Sequence, residues 1–268
     1  MSQAKRHENA MRGVVYQMPG VDDVEVRRDE VYRQDAGGPL TMDVYYPPAS
    51  KRGARSPVVV VVLGYSDVGL QTVMGCPFKE MVWSIEWARM LAASGTVAIL
   101  YTNREPAADV HALLDYLRQH AAALGIDEDR IAVWAASGHV PLALSIAMEH
   151  REHLKAAVFC YGYMLDLDGA TSVAQYQAVW QFAAPAAGRS VADMPATLPL
   201  FVARCGKDQF GVNDSLDAFV LGAVRANLPM TFVNHAEAPH AFDIFHDSET
   251  SREIIRQILG FLRCHLLG

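Results

Sequence analysis

Polar and apolar positions alternate over residues 24–33 (VEVRRDEVYR) and 40–46 (LTMDVYY), on either side of a DAGG turn. That period of two predicts an exposed antiparallel hairpin, closed off by Pro47 and Pro48. Beyond it the pattern changes. The segments 57–64 (PVVVVVLG), 96–103 (TVAILYTN), 130–137 (RIAVWAAS), 155–162 (KAAVFCYG), 199–206 (PLFVARCG) and 230–237 (MTFVNHAE) are near-continuous apolar runs rich in β-branched residues. Runs of this kind belong to strands covered on both faces, as in a parallel sheet. Between them, 80–93, 107–123, 138–149, 213–226 and 248–266 carry helical patterns, as with Val110, Leu113, Leu114 and Leu117. Strand and helix alternate, so the expected class is α/β, a mainly parallel central sheet with helices on both faces and the hairpin at its edge.

Two connections are longer than a strand–helix unit needs. The stretch 163–198, about 35 residues long, exceeds the usual few-residue linkers and holds Tyr163, Tyr176, Trp180 and Phe182. It is expected to form a small helical cap over a pocket, or else to pack its aromatics for its own stability. The loop 65–80, with Val73, Met74, Cys76 and Phe78, is expected to line the same pocket.

Composition narrows the class of protein. With 268 residues, 51% hydrophobic and 20% charged, the chain has material for one α/β domain spanning 1–268, the cap being an insertion in it. A net charge of -7 and no run of Lys and Arg give no footprint for nucleic acid. The polar N-terminus MSQAKRHENAMRG lacks the apolar core of a secretory signal, and no apolar run is long enough to span a bilayer. A soluble, cytoplasmic protein with no membrane partner is expected. The four cysteines, Cys76, Cys160, Cys205 and Cys264, lack CxxC spacing and are expected as free thiols.

Three residues stand where chemistry would need them. Ser137 lies at the junction of a buried strand and a helix, in RIAVWAASGHVPLALSIAM. A serine on such a turn projects its hydroxyl above the sheet, with the helix N-terminus offering N–H groups to a developing oxyanion. The same serine could equally be the N-cap of that helix. Asp208, in RCGKDQFGVNDSLDAF, follows one strand end, where an aspartate often only caps a turn. His240, in NHAEAPHAFDIF, follows the next. Parallel strands joined by helices all end on one rim, so the three positions converge on it.

The order Ser, Asp, His, together with the elbow VWAASGH, the acid turn GKDQF and the stretch PHAFDIF, resembles the α/β-hydrolase superfamily. Within it the chain is similar to the dienelactone-hydrolase and acetyl-esterase (feruloyl-esterase-like) groups over roughly residues 57–265. The resemblance implies a serine carboxylesterase of small to medium acyl esters, with Ser137, His240 and Asp208 as catalytic triad, an acyl-enzyme intermediate and no cofactor or metal. It also implies an oxyanion hole from the N–H groups of Tyr65 and Gly138, with Ser66 as a candidate third donor, the Tyr65 ring or hydroxyl as a candidate contributor to the substrate pocket, and Ser66, Tyr163 and Trp180 against a small-molecule ester. Two features depart from the pattern. The elbow is Ala135-Ala136-Ser137-Gly138-His139, where relatives carry glycine at both ends; His139 is expected as an ordinary early helix residue, the alternative being that it points toward the pocket. The oxyanion loop is Leu63-Gly64-Tyr65-Ser66, where relatives often have His-Gly-Gly.

The rivals are weaker. His235 falls inside a strand pattern, His246 well beyond it, Asp214 and Asp217 in a helix, and Asp166 and Asp168 at the start of the cap. The run Glu149-His150-Arg151-Glu152-His153 places two histidines three apart but offers too few ligands for a metal and reads as a solvated helix end. Peptidase-like and lactone-cleaving chemistry share the same triad, and a non-catalytic binding protein on this scaffold is the remaining alternative. The edge strands could pair with a second copy as a homodimer.

Overall fold

The computed structural model describes residues 6–150 and 152–268. Residues 1–5 of the N-terminal stretch and Arg151 of the Glu149–His153 run lie outside the described residues.

The strands are β1 (Glu25–Asp35), β2 (Gly38–Tyr46), β3 (Ser56–Val61), β4 (Val97–Tyr101), β5 (Ile126–Ala136), β6 (Leu154–Cys160), β7 (Leu200–Cys205) and β8 (Met230–His235). They form one sheet in the order β1-β2-β4-β3-β5-β6-β7-β8. The hairpin β1–β2 joins β4 antiparallel, and every pair from β4 to β8 is parallel. The helices are α1 (Asp67–Met74), α2 (Val82–Ala93), α3 (Pro106–Gln119), α4 (Ala121–Leu124), α5 (Val140–Glu149), α6 (Ser172–Trp180), α7 (Val212–Arg225), α8 (Phe242–Phe245) and α9 (Glu249–Leu267).

The apolar runs do what their composition demands. Every residue of β3 and β4 is buried, which an unbroken run of Val, Ile and Leu requires of a strand covered on both faces. Trp87 of α2 lies against Trp134 of β5 with ring centroids 4.6 Å apart, and both are fully buried. Helix α9 carries the longest apolar stripe, burying Ile254, Ile255, Ile258, Leu259, Leu262 and Leu266 along one side. Its start is fixed by Ser248, whose hydroxyl accepts the Ser251 N–H at 3.1 Å.

Three expectations need correction. The loop 65–80 contains α1, a two-turn helix ended by Gly75 in the left-handed conformation; its sequence DVGLQTVM has too few core-facing positions to read as helical. Strand β5 begins four residues before the apolar run, because Ile126 pairs with Ser56 of β3 and draws the polar Asp127–Arg130 into the ladder. Strand β8 is not covered on both faces: as the outermost strand it leaves Thr231, Phe232 and Asn234 exposed. The segment 163–198 holds α6 and a short turn of 3-10 helix over Val191–Asp193, with irregular chain around them.

Chain order and sheet order part company between β3 and β5. From β3 the chain steps outward to β4, then returns past β3 to β5 and proceeds the other way. Loops leaving β3 and β5 therefore diverge above the sheet and open a crevice between them, the usual ligand position in open α/β sheets.

The hairpin is tied down by charge. Lys79, 6% exposed, bonds the Asp43 carboxylate of β2 at 2.7 Å and also Asp29 of β1. Asp43 further accepts the Asp29 N–H at 3.0 Å. Removing the Asp43 carboxylate leaves the buried ammonium group with only the exposed Asp29 carboxylate as partner, so Asp43→Ala is expected to cost about 3 kcal/mol, read from the urea unfolding midpoint. A change below about 1 kcal/mol would show that the ion pair contributes nothing net.

Candidate active site

Ser137 follows the last residue of β5 and has φ 56°, in the left-handed region that only glycine enters freely. A chain that turns this sharply from strand into helix leaves the serine hydroxyl above the sheet edge. The alternative role of helix cap is not taken up: the Ser137 hydroxyl makes no capping bond to the helix. Instead Oγ lies 2.7 Å from His240 Nε2. The other ring nitrogen, Nδ1, is 2.8 Å from Asp208 Oδ2. The Asp208 side chain is 1% exposed and its second oxygen accepts the Gln209 N–H at 2.7 Å, so the carboxylate is fixed. Ser137, His240 and Asp208, read separately along the chain, thus form one continuous hydrogen-bonded line past the ends of β5, β8 and β7.

Above this line opens a cavity of about 570 Å³. Leu70, Met74, Phe78, Met81, Ile244 and Phe245 supply much of its wall, and among the described residues no Asp, Glu, Lys or Arg lines it. Ser66, Trp180 and Tyr65 are among its lining residues. Tyr163 does not. Its ring stacks between Tyr176 and Phe182, at centroid distances of 5.4 and 5.3 Å, and its hydroxyl donates to the Phe210 carbonyl at 2.8 Å. An aromatic at the base of a long excursion was needed to hold that excursion together, and Tyr163 serves there.

His139 also departs from expectation. Rather than being an ordinary early helix residue, it lines the cavity, and its Nδ1 accepts the N–H of Gly64 at 2.9 Å. The bond staples the loop after β3 to the elbow after β5. Close approach makes it reachable: a Cβ at Gly64 would fall 2.8 Å from both the Gly138 carbonyl oxygen and the His139 Cα. With Nδ1 accepting, the proton of the neutral ring sits on Nε2. Burial pushes the imidazole down to about 3, so it stays neutral.

The same loop is clamped from β4. Leu63 N–H donates to the Tyr101 hydroxyl at 3.1 Å, and Asn103 donates to the Leu63 carbonyl at 3.0 Å while accepting the Asp67 N–H at 2.9 Å. The buried Asp67 carboxylate accepts the Phe78 N–H at 2.8 Å, and burial pushes its pKa up to about 6. Among the described residues the Tyr65 amide has no partner within the protein.

Behind His240 lies a second feature invisible in the residue pattern. The fully buried Asp243 carboxylate accepts from the indole N–H groups of Trp83 and Trp87, each at 2.7 Å, and from the Tyr161 hydroxyl at 2.6 Å. The edge of the Tyr161 ring in turn meets the His240 imidazole at a centroid distance of 5.1 Å. Burial raises the Asp243 carboxyl and the three donors oppose that rise. Asp243 was visible only as the last letter of the PHAFD stretch.

The rival residues are placed elsewhere. His235 is buried beside His246 and Ser251, at 3.2 and 3.1 Å. Asp217 pairs with Arg204, and Asp166 accepts the first amides of α6 from Val173 and Ala174. His150 meets His111 at 2.8 Å, and no group of three or more His, Cys, Asp and Glu able to hold a metal occurs among the described residues. The four cysteines are free, three of them buried. No helix among the described residues is long and apolar enough to cross a membrane.

No protein-family model and no curated protein matches this sequence. Solved structures match the fold over most of the chain. An α/β-hydrolase enzyme from the metagenome of Lake Arreo, Spain, superposes with a TM-score of 0.70 at 17% identity, over 91% of this chain and 83% of that one. A hyperthermophilic esterase from the archaeon Pyrobaculum calidifontis gives a TM-score of 0.67 at 19% identity, over 97% and 87%. A bacterial heroin esterase gives 0.69 at 16% identity, over 94% and 87%. The fold is the α/β-hydrolase fold.

A neutral His139 carries a pH signature. The unfolded residue takes a proton near 6.5 and the folded one only near 3, so its stabilising contribution is complete above pH 6.5 and is lost as pH falls through that window. In His139→Asn the amide oxygen can still accept from Gly64, but nothing titrates. Denaturation midpoints from pH 7 to 4 should therefore fall more steeply for the wild type than for the variant; parallel curves would mean that the folded imidazole protonates normally.

Proposed function

We propose that the protein is a serine carboxylic-ester hydrolase acting on small to medium, uncharged acyl esters. The observation that carries this reading is the unbroken line from Ser137 Oγ through His240 to Asp208, at 2.7 and 2.8 Å, opening into the apolar cavity. His240 Nε2 takes the Ser137 proton as Oγ attacks the ester carbonyl, and returns it to the departing alcohol. Asp208 holds the proton-bearing Nδ1 edge and stabilises the imidazolium. The amides of Tyr65 and Gly138 receive the oxyanion, and water attacks the resulting acyl-enzyme with His240 as base.

Two further points favour esters. Proteins named as esterases recur among the solved structures sharing the fold. Among the described residues the wall has no Asp, Glu, Lys or Arg to partner a charged acyl or peptide chain, which favours apolar contact as the means of binding. The excursion 163–198 acts as the cap, lending Trp180 and Gln181 to the cavity.

Purified protein should hydrolyse p-nitrophenyl acetate and butyrate, with turnover falling once the acyl chain outgrows the cavity. A fluorophosphonate probe should label Ser137. Ser137→Ala should abolish labelling and reduce kcat by roughly 10⁴-fold or more. Folded protein that neither takes the probe nor turns over any short ester would remove the catalytic reading.

A further inference from the structure

We propose that the phenol hydroxyl of Tyr65, and not its backbone alone, is a catalytic oxyanion donor beside the N–H of Gly138. The inference rests on the serine-hydrolase reading above and assigns one more group to it.

Position is the first ground. A Cβ on residue 138 would collide outright with the Tyr65 hydroxyl oxygen and fall 2.6 Å from Cζ and 2.9 Å from Cε2. The end of the phenol thus fills the space where any other residue following the nucleophile would carry its side chain. That space adjoins the 138 amide, and Tyr65 lines the same cavity as Ser137 and His240. Glycine at 138 is what lets the hydroxyl come this close.

The second ground is an unspent donor. Hydroxyls of half-buried tyrosines ordinarily find a partner. Among the described residues the Tyr65 hydroxyl bonds to none, although its neighbours Tyr101, Tyr161 and Tyr163 all do. The third ground is the state of the neighbouring donors. In the loop after β3 the Leu63 N–H is spent on Tyr101 and the Gly64 N–H on His139, so of the amides of residues 63 to 65 only that of Tyr65 stays open beside its own hydroxyl.

The ring is also held still. It meets His139 edge-on at 5.1 Å and Phe182 edge-on at 6.3 Å, while the Gly64 carbonyl accepts the Ala183 N–H at 2.8 Å. A donor fixed before the reaction needs no reorganisation when charge develops. Burial pushes the phenol up to about 12, so the O–H remains protonated throughout the working range. No proton is transferred: the O–H stays covalent and donates a hydrogen bond to the carbonyl oxygen as that oxygen gains charge.

Tyr65→Phe keeps the ring and its contacts and deletes only the donor. For p-nitrophenyl butyrate, kcat should fall about 10²-fold with KM changed less than about threefold. Placing p-aminophenylalanine at 65 restores a weaker donor and should recover part of the lost kcat, which also covers the case in which the phenylalanine protein folds poorly. A kcat for Tyr65→Phe within about twofold of wild type, or an equal loss in both variants, overturns the assignment while leaving the esterase reading intact. Inactive, unlabelled wild-type protein would remove that reading and this one together.

Discussion

The left-handed backbone at Ser137 is the constraint around which the site is arranged. A non-glycine residue at φ 56° is strained by on the order of 1 kcal/mol or more, and it persists only where its surroundings over-determine it. Those surroundings are specific. Ala135 and Ala136 are completely buried in β5, paired to Phe159 and Cys160 of β6, so the strand cannot relax toward the serine. On the helix side, His139 is tied to Gly64 at 2.9 Å, so the first turn cannot unwind either. The histidine that departs from the usual elbow pattern therefore does structural work that a glycine there could not: it joins the elbow to the facing loop.

A second constraint acts on the histidine. His240 is held in front by Ser137 and Asp208 and behind by the edge of Tyr161. Tyr161 is itself anchored by Asp243, which gathers three donors in a position with no exposure. A buried carboxylate is costly unless its acceptor sites are filled. Here the donors come from α2 and from the start of the loop after β6, so satisfying one charge also fixes how the helix and the strand end meet beneath the histidine. The Asp243 carbonyl accepts the Val15 N–H at 2.8 Å, extending the same node to the N-terminal segment.

Much of this was legible in the sequence because two periodicities are strong. Unbroken β-branched runs mark strands buried on both sides, and β3 through β7 follow them closely. The rim positions of Ser137, Asp208 and His240 follow from topology, since each stands just past a strand in a parallel sheet. What escaped notice has a common cause: it depends on pairs of residues far apart in the chain. The His139–Gly64 bond spans 75 positions and the Trp83–Asp243 bond 160, and neither leaves a local pattern. Tyr163 was misplaced for a related reason, because an aromatic that props a loop and one that lines a pocket look the same in one dimension. Helix α1 was missed because a two-turn helix on the surface buries almost nothing; of its residues only Asp67 is buried.

The polar groups around the site divide into two sets, and the division bears on the chemistry. Around Ser137 and His240 several polar groups are spent: Asp208 on His240 and Gln209, Asp243 on three donors, Leu63 and Gly64 on side chains. Facing the cavity, the Tyr65 amide and hydroxyl are not. On the proposed mechanism two neutral reactants, serine and ester, become an imidazolium and an oxyanion. An apolar wall without fixed charge makes that separation expensive wherever no group is waiting for it. The spent set fixes the imidazolium side, where Asp208 already stands, and the unspent set marks the other end of the charge separation. On that mechanism the donors left open toward the cavity beside the strained serine are the groups that would receive the negative charge.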